Sequence, residues 1–293
     1  AAEGRFFDEF FRPRTTTGIG DLLDLGLLPP LEGIYRADLD LPERAWWERA
    51  RARPLHRALR VDAVLLSHAH LDHSGYISYL DGAIPVVTSL ETAVIAKAMQ
   101  DTQGSGFNEV CYLTPREVKE GLLSATHHKR VASEARPFLL LGDGEPCDER
   151  FRAFWGRGRS SRALEARAPA CRRDGQARVG NLTVRRFPVD HSVPGASAFA
   201  VESSEGWVVY TGDLRLHGAR ADATRAFIRA AAALKPLALI TEGTHPEKEE
   251  PVSEQQVYEL AAEAVRAARG LVVADFGPRN VERLLTFHRI ARE

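Results

Sequence analysis

A chain of 293 residues is long enough for one large domain or two smaller ones, with room for a sizeable hydrophobic core. Apolar residues make up 44% and charged residues 27%, the ordinary balance of a soluble globular protein. The formal net charge is −1, which excludes attraction to nucleic acid by the molecule as a whole and leaves it to local patches.

In chain order, residues 61–67 are a β-branched and apolar run ending in a polar cluster, which predicts a buried strand feeding a loop. Residues 83–88 predict a second strand, followed by a helix from Leu90 to about Gln100. The stretch from 142 to 178 lacks a periodic apolar pattern and is rich in Arg, Gly and Ser, which predicts a long surface insertion. Residues 180–188 predict another strand, and 197–211 a hairpin turning at Ser203-Ser204-Glu205-Gly206. An Ala-rich helix covers about 222–234, and Leu237 to Thr241 predicts a strand. Ser253 and Gln256 have the spacing of a capping box, opening a helix that runs to about Ala268 and stops at Gly270. Leu271 to Ala274 predicts one more strand, and Asn280 caps a final helix still running at Glu293. Strands and helices alternate, so the class is α/β.

No apolar run approaches the roughly 18 residues of a membrane span. The start, Ala-Ala-Glu-Gly-Arg-Phe-Phe, lacks the basic opening and apolar run of a signal peptide. Cys111, Cys147 and Cys171 lie far apart and are odd in number, which argues against a disulfide framework and for a reducing compartment. The expectation is a cytoplasmic location.

The strongest chemical signal is SHAHLDHSG, residues 67–75. His68 and His70 are two apart in an extended segment, so both imidazoles face one point. Asp72 and His73 follow at once and serve a second ion if the loop turns there. Imidazole and carboxylate ligands suit a hydrolytic zinc ion and also accept manganese or iron. A polar loop that happens to hold histidines is the competing reading. Against it stand three of the chain's ten histidines, and an Asp, within six residues at a strand end. One loop offers too few ligands for a catalytic metal, so further donors are expected at later strand ends. His191, in FPVDHSVPG, and Asp213, in YTGDLRLH, both follow predicted strands.

H-x-H-x-D-H, a later His after a strand and an Asp in a T-G-D context together resemble the metallo-β-lactamase superfamily. The stretch from WVVYTGDLRLHG to LALITEGT, residues 207–244, is similar to its β-CASP branch of nucleic-acid-cutting nucleases, which includes ribonuclease J and the cleavage and polyadenylation endonuclease. The resemblance implies an αββα sandwich with the beginning of an inserted β-CASP α/β domain. It places a metallo-β-lactamase-like domain at residues 1–243 and the start of the β-CASP domain at 244–293. It also implies two zinc ions, one held by His68, His70 and His191, the other by Asp72 and His73, with Asp213 bridging. Asp72 is expected to steer the attacking water, and Glu242 matches the acidic residue that opens the β-CASP insert. The superfamily's opening strands and two later β-CASP histidines have no counterpart here, so the resemblance implies a chain trimmed at both ends.

The expected partner is a nucleic acid, RNA ahead of DNA. Residues 150–178 hold nine arginines against only Glu165 and Asp174, with Phe151, Phe154 and Trp155 interleaved. Guanidinium groups beside aromatic platforms suit a single strand, and a solvated Arg-rich loop is the bland alternative. His127-His128-Lys129 reads as surface. Competing functions are a small-molecule hydrolase of the thioesterase or lactonase kind and a metal-free scaffold. Intact candidate ligands speak against the scaffold.

Overall fold

The computed structural model describes residues 14–41, 45–102, 108–142, 147–158, 162–243 and 252–293. Two β-sheets pack face to face, and helices cover both outer faces.

The first sheet is wholly parallel and is built from β1 (Val64–Leu65), β2 (Val86–Thr88), β3 (Phe138–Leu141) and β4 (Ala170–Arg172), in spatial order β4-β3-β2-β1. The second is built from β5 (Gln176–Val179), β6 (Leu182–Pro188), β7 (Ser197–Ser203), β8 (Gly206–Tyr210) and β9 (Ala238–Ile240). Its strands run in that order, antiparallel except for the parallel pair β8 and β9.

Period-two side-chain alternation makes each sheet two-faced. In β7, Phe199 and Val201 point into a cluster shared with Val87, Leu141 and Val184, between the sheets. Its other face carries Ala198 and Ala200, small enough for Phe227 and Ala231 of helix α4 (Ala221–Leu234) to lie close against them. On the first sheet, Val86, Phe138 and Leu140 face outward and pack with Ala93 and Ala96 of α2 (Leu90–Thr102) and with Phe151 and Trp155 of α3 (Glu149–Trp155). Fully burying a side chain such as Phe199 contributes about 1.5–3 kcal/mol, so the two-faced pattern fixes the layer order helix, sheet, sheet, helix. This is the sandwich expected from the sequence.

Two further helices, α5 (Glu254–Ala267) and α6 (Val281–Ile290), pack on each other after the second sheet. The predicted capping box forms at Ser253 and Gln256, with both reciprocal bonds present.

Several expectations are corrected. Leu271 to Ala274 is not a strand; Leu271 is 94% exposed and the segment pairs with no described strand. β-branched residues favour an extended backbone, but a strand also needs a neighbour to take its hydrogen bonds. The last helix ends at Ile290 rather than continuing to Glu293. Residues 142–178 are not a surface loop where they are described. Phe151 and Trp155 are buried at the edge of the first sheet, and β4 completes that sheet. Cys147 and Cys171 form a disulfide across this segment, so the argument from cysteine number to a reducing compartment does not carry over.

Candidate metal centre

β1 ends at Leu65, and the chain leaves the sheet through Leu66 and Ser67 into His68, His70 and the short helix α1 (Leu71–Ser74). Ser67 fastens this exit to the second sheet, its carbonyl accepting from the Ser197 N–H at 3.0 Å. The loop after β6 brings in His191, and the loop after β8 brings in Asp213. All three loops leave the sandwich at one end.

Two glycines make the convergence possible. Gly212 has φ +57°, and a Cβ there would lie 2.7 Å from Ser67 Cβ and 2.9 Å from the Ser197 oxygen. Only glycine lets the Asp213 loop come this close to the His68 loop. Gly195 has φ +83° and seats the His191 loop on the start of α2, where Ser89 Oγ donates to its carbonyl at 2.8 Å.

The donors form a tight cluster. His70 Nδ1 lies 3.1 Å from His68 Nε2 and 3.1 Å from His191 Nε2. Asp213 Oδ2 lies 3.7 Å from both His68 Nε2 and His191 Nε2. One ligand atom from each of His68, His70, His191 and Asp213 falls within 4.8 Å of the others. A tetrahedral ion with bonds of about 2.0–2.1 Å separates its donors by about 3.3 Å. A neutral imidazole has a single N–H, so mutual hydrogen bonds cannot satisfy three rings converging this way. The residues fit a divalent ion.

Electrostatics keeps the ligands in the binding form. Burial, reinforced by neighbouring imidazoles, pushes the wholly buried His68 down to about 2. Burial also lowers His191 to about 4, and lowers His70 against the pull of Asp72 and Asp213. These imidazoles are neutral at pH 7, as ligation requires. Burial raises the Asp213 carboxyl, with Glu242 and Asp72 adding repulsion and His73 opposing it.

A second group lies beside the first. His73 Nε2 is 3.2 Å from Asp213 Oδ1 and 3.6 Å from Asp72 Oδ2. Asp213 thus faces the imidazoles of His68 and His191 with one oxygen and His73 with the other. Asp72 is 77% exposed and reaches the cluster from its open side. Glu242, just past β9, points back toward the site, and its Oε1 accepts from the Leu214 N–H at 2.6 Å. Every sequence-predicted site residue is therefore brought to one end of the sandwich.

Three supporting residues were missed in the sequence. Ser67 Oγ lies 3.1 Å from His68 Nδ1 and orients that ring. Asp190, wholly buried beside His191, is held by Arg215 Nε at 3.2 Å. Arg215 also reaches Glu254 Oε1 at 2.9 Å and Glu282 Oε2 at 2.6 Å, tying α5 and α6 to the His191 loop. Each is adjacent to a candidate ligand or two residues from one, and that proximity was the available signal.

The Arg-rich segment does not present its predicted platform. Trp155 is 4% exposed and its Nε1 donates to the Arg167 carbonyl at 3.1 Å. Arg162 donates to Thr126 Oγ1 at 3.0 Å and to the Val131 carbonyl at 2.8 Å. Arg159 lies outside the described residues. His127 and His128 stack at the surface, apart from the cluster.

Residues 46–254 match the profile described as the metallo-beta-lactamase superfamily. The chain belongs to that hydrolytic superfamily and carries a candidate divalent-metal site in it. Among solved structures it is similar to a protein of unknown function from Enterococcus faecalis V583, at 25% identity and a TM-score of 0.56. That match covers 96% of this chain and 54% of the other, so the chain spans about half the length of that relative. It is also similar to a Cronobacter sakazakii metallo-beta-lactamase, the HARLDQ motif mutant S60, at 17% identity and a TM-score of 0.31 over 88% of this chain and 81% of that one. The MIM-2 metallo-beta-lactamase matches at 14% identity and a TM-score of 0.31, covering 88% and 77% respectively. No curated protein sequence matches. No helix among the described residues is long and apolar enough to cross a membrane.

Proposed function

We propose that this chain carries the catalytic centre of a two-zinc phosphodiester hydrolase of the β-CASP nuclease branch, acting on RNA or DNA, with RNA favoured. The observation that carries this reading is the two-sided setting of Asp213, with His68 and His191 at one oxygen and His73 at the other. On this reading His68, His70 and His191 hold one ion, Asp72 and His73 hold the second, and Asp213 is shared. Manganese is an alternative occupant of the same ligands. Ions held there supply positive charge that stabilises the entering and leaving oxygens of a displacement at phosphorus.

The protein's own groups have defined parts. Asp72, exposed at the open side, orients the attacking water and accepts its proton. Asp213 and Glu242 hold the loop geometry from the two neighbouring strands β8 and β9. The domain boundary falls at residue 243, with the metallo-β-lactamase-like domain before it and the opening of the β-CASP layer, including α5 and α6, after it. Arg215 ties the two together.

The test uses labelled single-stranded RNA and DNA oligonucleotides with zinc- or manganese-loaded protein. Cleavage is expected, abolished by a chelator and by His68→Ala. Binding by a metal-loaded Asp72→Asn variant should weaken with salt, with a log–log slope of about −0.7 per phosphate contacted. Absent cleavage together with a slope near zero would return the substrate to the small-molecule class.

A further inference from the structure

The aromatic platform expected around Trp155 is buried, and a different ring stands open on the helical segment that carries Asp72 and His73. Among the described residues Tyr76 is the only Phe, Tyr or Trp that is exposed, at 52%. A single apolar side chain in water needs no explanation by itself. What sets this one apart is its position.

Helix geometry fixes where the ring stands. α1 (Leu71–Ser74) runs without a break into a 3-10 turn, Gly75–Tyr79, with Ser74 and Gly75 both in the right-handed helical region. Residues three and four apart on a helix are neighbours, with about 5–6 Å between their Cβ atoms. His73 lies three residues before Tyr76 and Asp72 four before it. Helical side chains lean toward the N-terminus, so Tyr76 covers the turn that carries those two. That turn supplies the second group of the centre, where His73 Nε2 lies 3.6 Å from Asp72 Oδ2 and 3.2 Å from Asp213 Oδ1. Leu71, 47% exposed, lies over Gly75, where an added Cβ would meet its Cδ1 at 3.2 Å. A second apolar side chain thus borders the residue next to Tyr76.

The ring is free to stack. Its described ring partner is Tyr79, edge to face, with centroids 5.7 Å apart and planes at 74°. A neighbour at that angle covers at most one face of a ring, whichever of the two presents its edge. No described Arg or Lys sits over Tyr76, whereas Lys97 lies over Phe154 at 4.7 Å and Arg289 over Tyr258 at 4.3 Å. The helical segment beneath is held by Ser74 Oγ donating to the His70 carbonyl at 2.8 Å and by Ser78 Oγ donating to the Gly75 carbonyl at 2.7 Å. A ring on a fixed support needs only two torsions set to stack, so ordering it on a ligand costs little. An open aromatic face beside a centre that acts on phosphate matches the two ends of a nucleotide.

We propose that Tyr76 is the base-stacking residue of this site, carrying on its open face the nucleobase next to the scissile phosphate while that phosphate lies at the metal cluster. The inference deepens the nuclease reading and rests on it for the identity of the substrate. It adds a preference that metal ligands do not encode. Bases inside a duplex are already stacked on both faces, so the platform selects a single strand.

The test measures the affinity of metal-loaded protein for a short, labelled, single-stranded RNA whose phosphorothioate linkages slow cleavage. Parent, Tyr76→Ala and Tyr76→Phe are compared on that strand and on a series of strands lacking the base at one position in turn. Bound metal is read by elemental analysis. Loss of one stacked base predicts affinity about 5- to 100-fold lower in Tyr76→Ala, with unchanged metal content. Tyr76→Phe keeps the ring and should bind as the parent does. One abasic position should weaken the parent by the same factor and cost Tyr76→Ala nothing further, because the partner of that base is already gone. Tyr76→Leu keeps bulk without a π-face, should lose affinity as Tyr76→Ala does, and serves if the Ala variant fails to fold. Parent-like affinity in the Ala or Leu variant would overturn the proposal and leave the nuclease reading standing. Losses that add at every abasic position would overturn it in the same way. Loss of metal from Tyr76→Ala would overturn it too, because the residue would then be a support for Asp72 and His73. No binding of the strand by the parent would remove the nucleic-acid reading and the platform with it.

Discussion

Glu242 and Leu214 are joined by a hydrogen bond of 2.6 Å from the Leu214 N–H to the Glu242 carboxylate, so the residue after β9 grips the turn that carries Asp213 after β8. Glu242→Ala leaves that N–H without this acceptor and frees the turn. Metal affinity or activity should fall about 10- to 100-fold, the usual cost of losing a partner behind a ligand. Glu242→Gln keeps an oxygen able to accept and should retain most of both. A Gln variant as impaired as the Ala variant, in titrations with zinc, would show that the negative charge matters rather than the grip.

His68→Ala with His70→Ala removes two of the four clustered donors. The double variant should keep the circular dichroism spectrum of the parent and retain no ion after dialysis. Adding zinc to the parent at a hundredfold excess over Kd should stabilise it by about 2.7 kcal/mol, and the variant by nothing. Full metal occupancy in the double variant would sink the ligand assignment.

The ligands were legible because each sits in a short motif at a strand end, where backbone periodicity alone predicts what the side chain faces. The layered core was legible for the same reason, through alternating runs such as those of β7. Partners distant in sequence were not. Cys147 and Cys171 are 24 residues apart, and counting cysteines does not pair them. The spacing of Phe151 and Trp155 is a helical one, but arginines around them disguised an inward-facing pair as a surface stretch. Leu271 to Ala274 has strand composition and no neighbour, and a neighbour is the part of a strand that its own residues do not encode. Arg215 reads as one more surface charge until Asp190 is found beside it.

Trp155 packs edge-on to Phe138 at 5.0 Å and lies in the core outside the first sheet. Trp155→Ala should therefore cost about 3–5 kcal/mol of stability, as large-to-small core changes do. Its effect on oligonucleotide affinity, measured on folded protein, should be negligible. Urea unfolding that leaves the midpoint unchanged would move Trp155 back to the surface.

Cys111 is fully enclosed, and burial pushes its thiol well above the usual cysteine range. Thiolate is the reactive form, so iodoacetamide at pH 8 should leave the native protein unmodified. Denatured without reductant, the chain should take up one label, at Cys111; denatured and reduced, it should take up three. Three labels without reductant, read by mass spectrometry, would remove the Cys147–Cys171 bond from the folded protein.

Acid stability offers a separate check on a buried network that includes none of the candidate metal ligands. Arg36 is almost wholly buried and makes a two-pronged pair with Asp38, Nη2 to Oδ2 at 2.8 Å and Nε to Oδ1 at 2.9 Å. Its third nitrogen reaches Glu109 Oε2 at 3.0 Å, and the Arg116 N–H donates to Asp38 Oδ2 at 2.9 Å. Burial pushes the Asp38 carboxyl up, but Arg36 and the Arg116 N–H outweigh it and hold the group below its ordinary value of 3.8. A carboxyl lowered by folding contributes in full above its unfolded value and loses that contribution as pH falls through the folded one. Asp38→Asn should thus cost about 1–3 kcal/mol at pH 6, the worth of a hydrogen bond to a charged group. The gap between parent and variant should close as the pH drops below 3.8. Paired urea melts at pH 6 and pH 3 measure it, and the difference between the proteins cancels the titration of every other acid. A gap that stays constant across that window would mean that Asp38 is not held below its ordinary value, and that Arg36 draws its compensation from Glu109.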